Sequence, residues 1–300
     1  MKQPVLLVDR LSQKIYAEKV YGDSILRWLY RTNFLSRFAL HFVARSPWVS
    51  ILYGALQNTS WSRRKILPFI EEFGVDTSEF LEPVTSYRSF NDFFTRKLRP
   101  EVRPIHADED VAIIPADGRY FVQEEIEGDR VFSVKNQSFS LHTLLRDAAL
   151  AKTYEGGSLV IARLAPPDYH RFHFPFSCIP REPRLINGPL FSVHPIALAK
   201  NWGILAENKR VVTCLDSALF GQVLYIEVGA TNVGTILQTH SPHTMQQKGA
   251  EKGYFSFGGS CLLLLFTRGR LQIDADVKKA SSQGLEIRCL MGQSLGRRRG

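Results

Sequence analysis

The chain has 300 residues and a mass of 34.1 kDa, with 44% hydrophobic and 22% charged residues, enough for one large core or two modest domains and unlike a disordered or low-complexity protein. Its formal net charge of +9 and pI near 9.4 favour an anionic partner, either nucleic acid or an acidic membrane surface. The four cysteines, Cys178, Cys214, Cys261 and Cys289, form no C-x-x-C pair, so they give neither a disulfide framework nor a zinc ribbon and fit a reducing cytosol.

Near the N-terminus, Val5-Leu6-Leu7-Val8 runs straight into Asp9 and Arg10, too short for a signal-peptide core. No stretch approaches the ~20 apolar residues that span a bilayer, so a soluble or peripheral protein is expected. Residues 1–100 read as helical. Between Ser24 and Gln57 the aromatic residues Trp28, Tyr30, Phe34, Phe38, Phe42, Trp48 and Tyr53 alternate with arginines. On an ideal helix Arg27, Arg31, Arg37, His41 and Arg45 share one arc, opposed by a broad apolar face. Such a face either lies in a membrane interface or packs on the rest of the protein. Pro47 divides the segment into two helices. Arg99-Pro100-Glu101-Val102-Arg103-Pro104 is an extended connector, because each proline disfavours helix at the residue before it, and it divides a helical region, 1–100, from a β-rich unit, 101–300.

In that second unit the runs 158–162, 222–228 and 262–266 are strands separated by Gly, Pro and Asn turns. They predict a mostly antiparallel, sandwich- or barrel-like domain and an α+β class overall. Leu141 to Lys152 is its one convincing helix. Gly229 to Gly234 reads as a bend or a close backbone approach; no G-x-G-x-x-G or P-loop occurs.

The chemistry concentrates near the end of the chain. Gly258-Gly259-Ser260 precedes the apolar strand Leu262 to Phe266, and without a Cβ at either glycine the Ser260 Oγ has room to approach the Gly259 carbonyl. Taken alone, Gly-Gly-Ser is an ordinary turn. Pro166-Pro167-Asp168-Tyr169-His170-Arg171-Phe172-His173-Phe174-Pro175 and Pro115-Ala116-Asp117-Gly118 add histidine and aspartate to that serine. His170 and His173 are also spaced as a pair of metal ligands, which leaves open a zinc hydrolase with Asp168, His240 or His243 as third ligand. A non-catalytic basic β module that binds lipid or nucleic acid is the reading of another class.

These segments, with Phe90-Asn91-Asp92-Phe93-Phe94-Thr95-Arg96, the Val228 to Gly234 run and Met291-Gly292, resemble the phosphatidylserine decarboxylase family in kind and in order. The resemblance implies a self-processing enzyme with a covalent pyruvoyl cofactor. His173 is then the base, Asp117 the carboxylate that orients it, and Ser260 the nucleophile that attacks the Gly259 carbonyl. Elimination from the resulting ester leaves dehydroalanine and then a pyruvoyl group at position 260. The products are a β chain, 1–259, and an α chain, 260–300, which stay associated. Phosphatidylserine forms a Schiff base with the pyruvoyl group and yields phosphatidylethanolamine and carbon dioxide, with His170 as the acid/base of decarboxylation. The resemblance assigns the basic charge to an anionic membrane rather than to nucleic acid and implies a peripheral enzyme on the cytoplasmic face of the cell membrane. It leaves a homo-oligomer open. Cys261 stands where the family has Thr or Ser, a weaker donor beside the nucleophile.

Overall fold

The computed structural model describes residues 4–19, 52, 54–127, 139–230, 236–258 and 260–299. The expected amphipathic helices fall mostly in 20–51, and Gly259 and 231–235, most of the Gly229 to Gly234 run, also lie outside the described residues. At the N-terminus the helical expectation does not hold. Strands β1 (Leu6–Asp9) and β2 (Ile15–Ala17) form an antiparallel hairpin, and β1 pairs in parallel with a strand near the C-terminus, burying Leu7 and Val8. Long-range pairing and burial decide the conformation there rather than local propensity.

Helix α1 (Ile66–Phe73) stops at Gly74, whose φ of 60° is left-handed. Helix α2 (Phe90–Phe94) starts at Ser89, whose hydroxyl accepts from the Asp92 amide. Together they bury Phe69, Phe90, Phe93 and Phe94 in an aromatic cluster with Phe80, Tyr87 and the distant Phe257.

Strands β3 (Val111–Ile113) and β4 (Gly118–Gln123) follow the connector. The single helix expected from Leu141 is broken in two, α3 (Leu141–Leu145) and α4 (Ala148–Thr153), because Arg146 takes a left-handed φ of 48° and Asp147 caps a new start by accepting from the Leu150 amide. Next come β5 (Ser158–Leu164), β6 (Arg171–His173), β7 (Ile179–Pro180), β8 (Arg184–Ile186), α5 (Pro195–Leu198) and α6 (Ile204–Glu207). The long pair β9 (Arg210–Ser217) and β10 (Gly221–Gly229) leads to β11 (Ile236–Gln238), β12 (Glu251–Phe255) and β13 (Ser260–Phe266). The chain ends with β14 (Leu271–Ile273), α7 (Ala275–Ser282), β15 (Glu286–Cys289) and β16 (Ser294–Arg298).

One large sheet runs β2-β1-β15-β4-β5-β13-β10-β9-β7, with β8 also on β9; β11-β12-β6 and β14-β16-β3 form two smaller sheets. All described pairings except β1 with β15 are antiparallel, and the sheets are open rather than closed into a barrel. The class is α+β. On one face of the large sheet, Leu262, Leu264 and Phe266 of β13 meet Phe172 and Phe255 of one small sheet and Ile273 and Leu295 of the other. On the opposite face, Cys261, Leu263 and Leu265 meet α3, α5 and α6 through Leu144, Ala197 and Leu205. The two-residue alternation of a strand thus sorts β13 into two cores and puts Ser260 on the face of the small sheets.

Candidate active site

Ser260 is the first residue of β13, paired to Gly229 of β10 on one side and Leu164 of β5 on the other. It is fully buried, and its Oγ has no hydrogen-bond partner. Most buried hydroxyls in folded proteins are satisfied, so an unpartnered one at the head of a strand calls for an explanation. Gly258, with φ 139°, lies in backbone space that favours glycine. Cys261 points to the opposite, helical face and its thiol donates to the Leu262 carbonyl, so it does not stand beside the Ser260 hydroxyl.

The residues before the serine are held from outside their own sheet. The Asn91 side chain accepts from the Phe257 amide at 2.8 Å, and the Phe257 ring packs against Phe90 and Phe94. Phe94 in turn lies on the His170 imidazole, ring centroids 3.8 Å apart, so one aromatic ring separates His170 from the segment leading to Ser260. The Phe255 amide donates to the His170 carbonyl at 3.0 Å, tying the two segments together.

His170 and His173 hold their protons alike but differ in what faces the other nitrogen. His170 Nδ1 donates to the Asp168 carbonyl at 3.0 Å and its Nε2 has no partner; burial pushes its pKa down to about 3. His173 Nδ1 donates to the Gly249 carbonyl at 2.9 Å, while its Nε2 accepts from the Tyr169 hydroxyl at 3.2 Å. Burial also lowers His173, opposed by the Gly249 carbonyl and by the charges of Glu251 and Asp117. The His173 amide donates to the Pro115 carbonyl, which brings the Pro115 to Gly118 loop against β6.

Asp117 lies on that loop but makes no hydrogen bond to His173. Its oxygens accept from Arg103, at 2.7 Å for the shortest contact, and from the Met291 amide at 2.8 Å. Its influence on the imidazole is that of a nearby negative charge; the Gly249 carbonyl orients the ring. Asp168, on the same loop as His170, pairs with Arg119 and accepts from the Ala165 amide. A cavity of about 660 Å³ opens beside Asp117, Asp168 and Tyr169, walled by Arg96, Arg103 and Arg119 and by the N-terminal hairpin.

The zinc reading finds no ligand set. His240 Nδ1 donates to the Lys252 carbonyl and its ring meets Phe174 edge-on. Among the described residues no three His, Cys, Asp or Glu side chains converge on a metal position. Sequence reasoning missed Tyr169, Arg103 and Asn91. Each lies in or beside a segment singled out from the sequence; Arg103 and Asn91 have partners 14 and 166 residues away, and Tyr169 meets His173 within one motif, where spacing alone does not show which side chains touch.

Residues 90–297 match the family model described as phosphatidylserine decarboxylase. A curated phosphatidylserine decarboxylase proenzyme of Chlamydia pneumoniae is 48% identical over 290 residues, covering 97% of this chain and 96% of the relative. That of Chlamydia muridarum is 48% identical over 296 residues, 99% of this chain and 98% of its own length. Likeness at this identity, end to end, together with the buried serine and histidines described above, makes the chain a member of the phosphatidylserine decarboxylase family.

Proposed function

We propose that this chain is a proenzyme that cuts itself between Gly259 and Ser260 and then decarboxylates phosphatidylserine to phosphatidylethanolamine. Family membership supports the reaction, and the buried, unpartnered Ser260 Oγ is the observation that carries the self-cleavage. In this reading His173 Nε2 takes the Ser260 proton as the hydroxyl attacks the Gly259 carbonyl, and the Tyr169 hydroxyl gives up its place on that nitrogen. Asp117 and Glu251 stabilise the imidazolium by their charge. The acyl group moves from nitrogen to oxygen, and elimination releases the chain ending at Gly259 as a carboxylate. Dehydroalanine at 260 then takes up water and loses ammonia to become a pyruvoyl group, for which the free Oγ position at the head of β13 is a fitting site. That group supplies the electron sink that side chains lack. By resemblance to the family, His170, buried and with a bare Nε2, is the acid/base group that handles the proton delivered to the α-carbon once carbon dioxide has left.

The enzyme works at the cytoplasmic face of an anionic membrane. Among the described residues no helix is long and apolar enough to cross one. Support for surface docking comes from the described end of the N-terminal segment, where Trp61, 57% exposed, carries the Arg64 guanidinium over its ring at 3.3 Å, with Leu52, Leu56 and Leu67 also exposed. Aromatic rings beside arginines suit the headgroup layer.

Denaturing electrophoresis and intact mass of purified protein, with phosphatidylserine turnover, test the reading. Two chains, 1–259 and 260–300, are expected, the smaller bearing a reducible carbonyl. Ser260→Ala and His173→Ala stay whole and inactive, whereas His170→Ala is cut but turns over ~10²–10⁴-fold more slowly. A single full-length, active species refutes the self-cleavage.

A further inference from the structure

Two segments that the cleavage chemistry leaves unused, Arg103-Pro104 and Met291-Gly292, meet at Asp117. Arg103 Nε lies 3.0 and 3.1 Å from the two Asp117 oxygens and Nη2 lies 2.7 Å from Oδ2. The rest of the guanidinium fork is engaged as well: Nη1 and Nη2 reach Glu79 at 3.0 and 2.9 Å, and Nη1 also donates to the Val102 carbonyl at 2.9 Å. From the opposite side the Met291 amide donates to Asp117 Oδ1 at 2.8 Å. That amide is placed by a turn that requires glycine. Gly292 has φ 90°, and a Cβ there would stand 2.3 Å from the Pro104 carbonyl oxygen. The Gly292 amide donates to the Ile114 carbonyl and its own carbonyl accepts from the His106 amide, both at 3.0 Å, so the turn is fastened to the connector and to the strand before Asp117.

Asp117 and Arg103 are only 4% and 7% exposed. A carboxylate so placed keeps its charge only while it is paired and hydrogen-bonded. Because Asp117 touches His173 through no hydrogen bond, its effect on the imidazole depends on charge and distance alone, and both are fixed by its other partners. We propose that Arg103 and the Met291 amide form a carboxylate clamp that positions Asp117 for self-cleavage, with Gly292 as the residue that lets the clamp close. The clamp rests on the self-cleavage reading above. Arg103 acts through Asp117 and is a positioning residue. It draws on three separated parts of the chain: Glu79 ahead of α2, the connector with the Asp117 loop, and the turn between β15 and β16. The cut is thereby tied to completion of the fold, since the Met291 turn belongs to the part that becomes the small chain.

The test follows cleavage of full-length chain made by cell-free synthesis, read by denaturing electrophoresis over time. Arg103→Gln should slow the cut about 10- to 100-fold, the range for loss of a charge-assisted hydrogen bond. Arg103→Lys should fall between it and the parent, since a lysine restores charge but not the planar fork. Gly292→Ala should slow the cut with every charge intact. Arg103→Ala should regain part of its rate in millimolar guanidinium, which reaches the gap through the adjoining cavity, and thermal unfolding of each change in an uncut Ser260→Ala background should show a folded chain. Cleavage of Arg103→Gln at the parental rate overturns the clamp, as does an Arg103→Ala chain that is folded, slow and indifferent to guanidinium. Asp117→Asn run alongside separates the two levels: if it cuts normally, the role of Asp117 in self-cleavage fails, and if it is slow while the Arg103 and Gly292 variants are not, only the clamp fails.

Discussion

Lowering the pH from 7.5 to 5 should destabilise the uncut protein, and His170 should account for a defined share of the loss. The imidazole is fully buried, its pKa is pushed down to about 3 by burial, and no acidic side chain hydrogen-bonds to it. An unfolded histidine titrates near 6.5. The unfolded chain therefore binds a proton that the folded chain refuses, so stability is intact above the unfolded value and falls as the pH drops through 6.5 towards 3. For His170 alone the loss is about 2 kcal/mol at pH 5 and about 4 kcal/mol near pH 3. His173 and His240, also lowered by burial, add in the same direction. Asp168 and Glu18, whose carboxyls are held below their ordinary values by arginines, contribute stability that is lost only below about pH 4.5. The window from 6.5 to 5 thus belongs to histidine. Urea unfolding of Ser260→Ala, compared with Ser260→Ala/His170→Gln, isolates the residue. The first should lose ~0.7–1 M more in midpoint between pH 7.5 and 5 than the second, given a slope of ~2–3 kcal/mol/M. Equal losses in the two proteins would refute the reasoning, because they would mean that His170 protonates in the folded state without cost.

Two further outcomes follow from the surface and from the weave of the sheets. Flotation with anionic liposomes should recover the protein at low salt, weaken as salt screens the arginines and weaken further in Trp61→Ala; equal recovery with neutral lipid would remove the electrostatic part of the docking. The cut protein should elute as one species on gel filtration and part into its two chains only in denaturant, since Leu262 to Phe266, Val277, Ile287 and Leu295 are all buried and contribute on the order of 10–20 kcal/mol of gross apolar stabilisation. A free small chain under native conditions would contradict that.

The sequence revealed the strands whose apolar runs are continuous, because a strand buried on both faces needs no partner to be recognised. Leu262 to Phe266 is such a run, flanked in the sheet by β5 and β10. It concealed β1, whose partner β15 lies at the other end of the chain, and the break between α3 and α4, which depends on one left-handed residue, Arg146. The motif segments pointed to the two histidines and the serine, all three of which are buried. Their tautomers were not legible. Nδ1 of each histidine is fixed by a backbone carbonyl, Asp168 in one case and Gly249 in the other, and any residue could supply such a carbonyl. The same holds for the partners of Asp117. An arginine and a backbone amide satisfy it, where the family resemblance implied a carboxylate that orients His173.

The position of the proposed cut explains how one chain can be severed and still keep its site. Phe255 closes β12 in a small sheet, and Ser260 opens β13 in the large one, so the proposed cut falls between two sheets. On the upstream side Phe257 is held by the Asn91 side chain and the rings of Phe90 and Phe94. On the downstream side residue 260 is in register with Gly229 and Leu164 at once. Phe257 upstream and residues 261–266 downstream are held by contacts that do not pass through the bond the proposed cut would break. In that proposal the new terminus at residue 260 lies on the face of β13 that looks toward the β6 sheet, and β6 and the loop leading into it carry His173 and His170. The same alternation that places Leu262 and Leu264 in the core turns the first residue of the strand to the side of the β6 sheet.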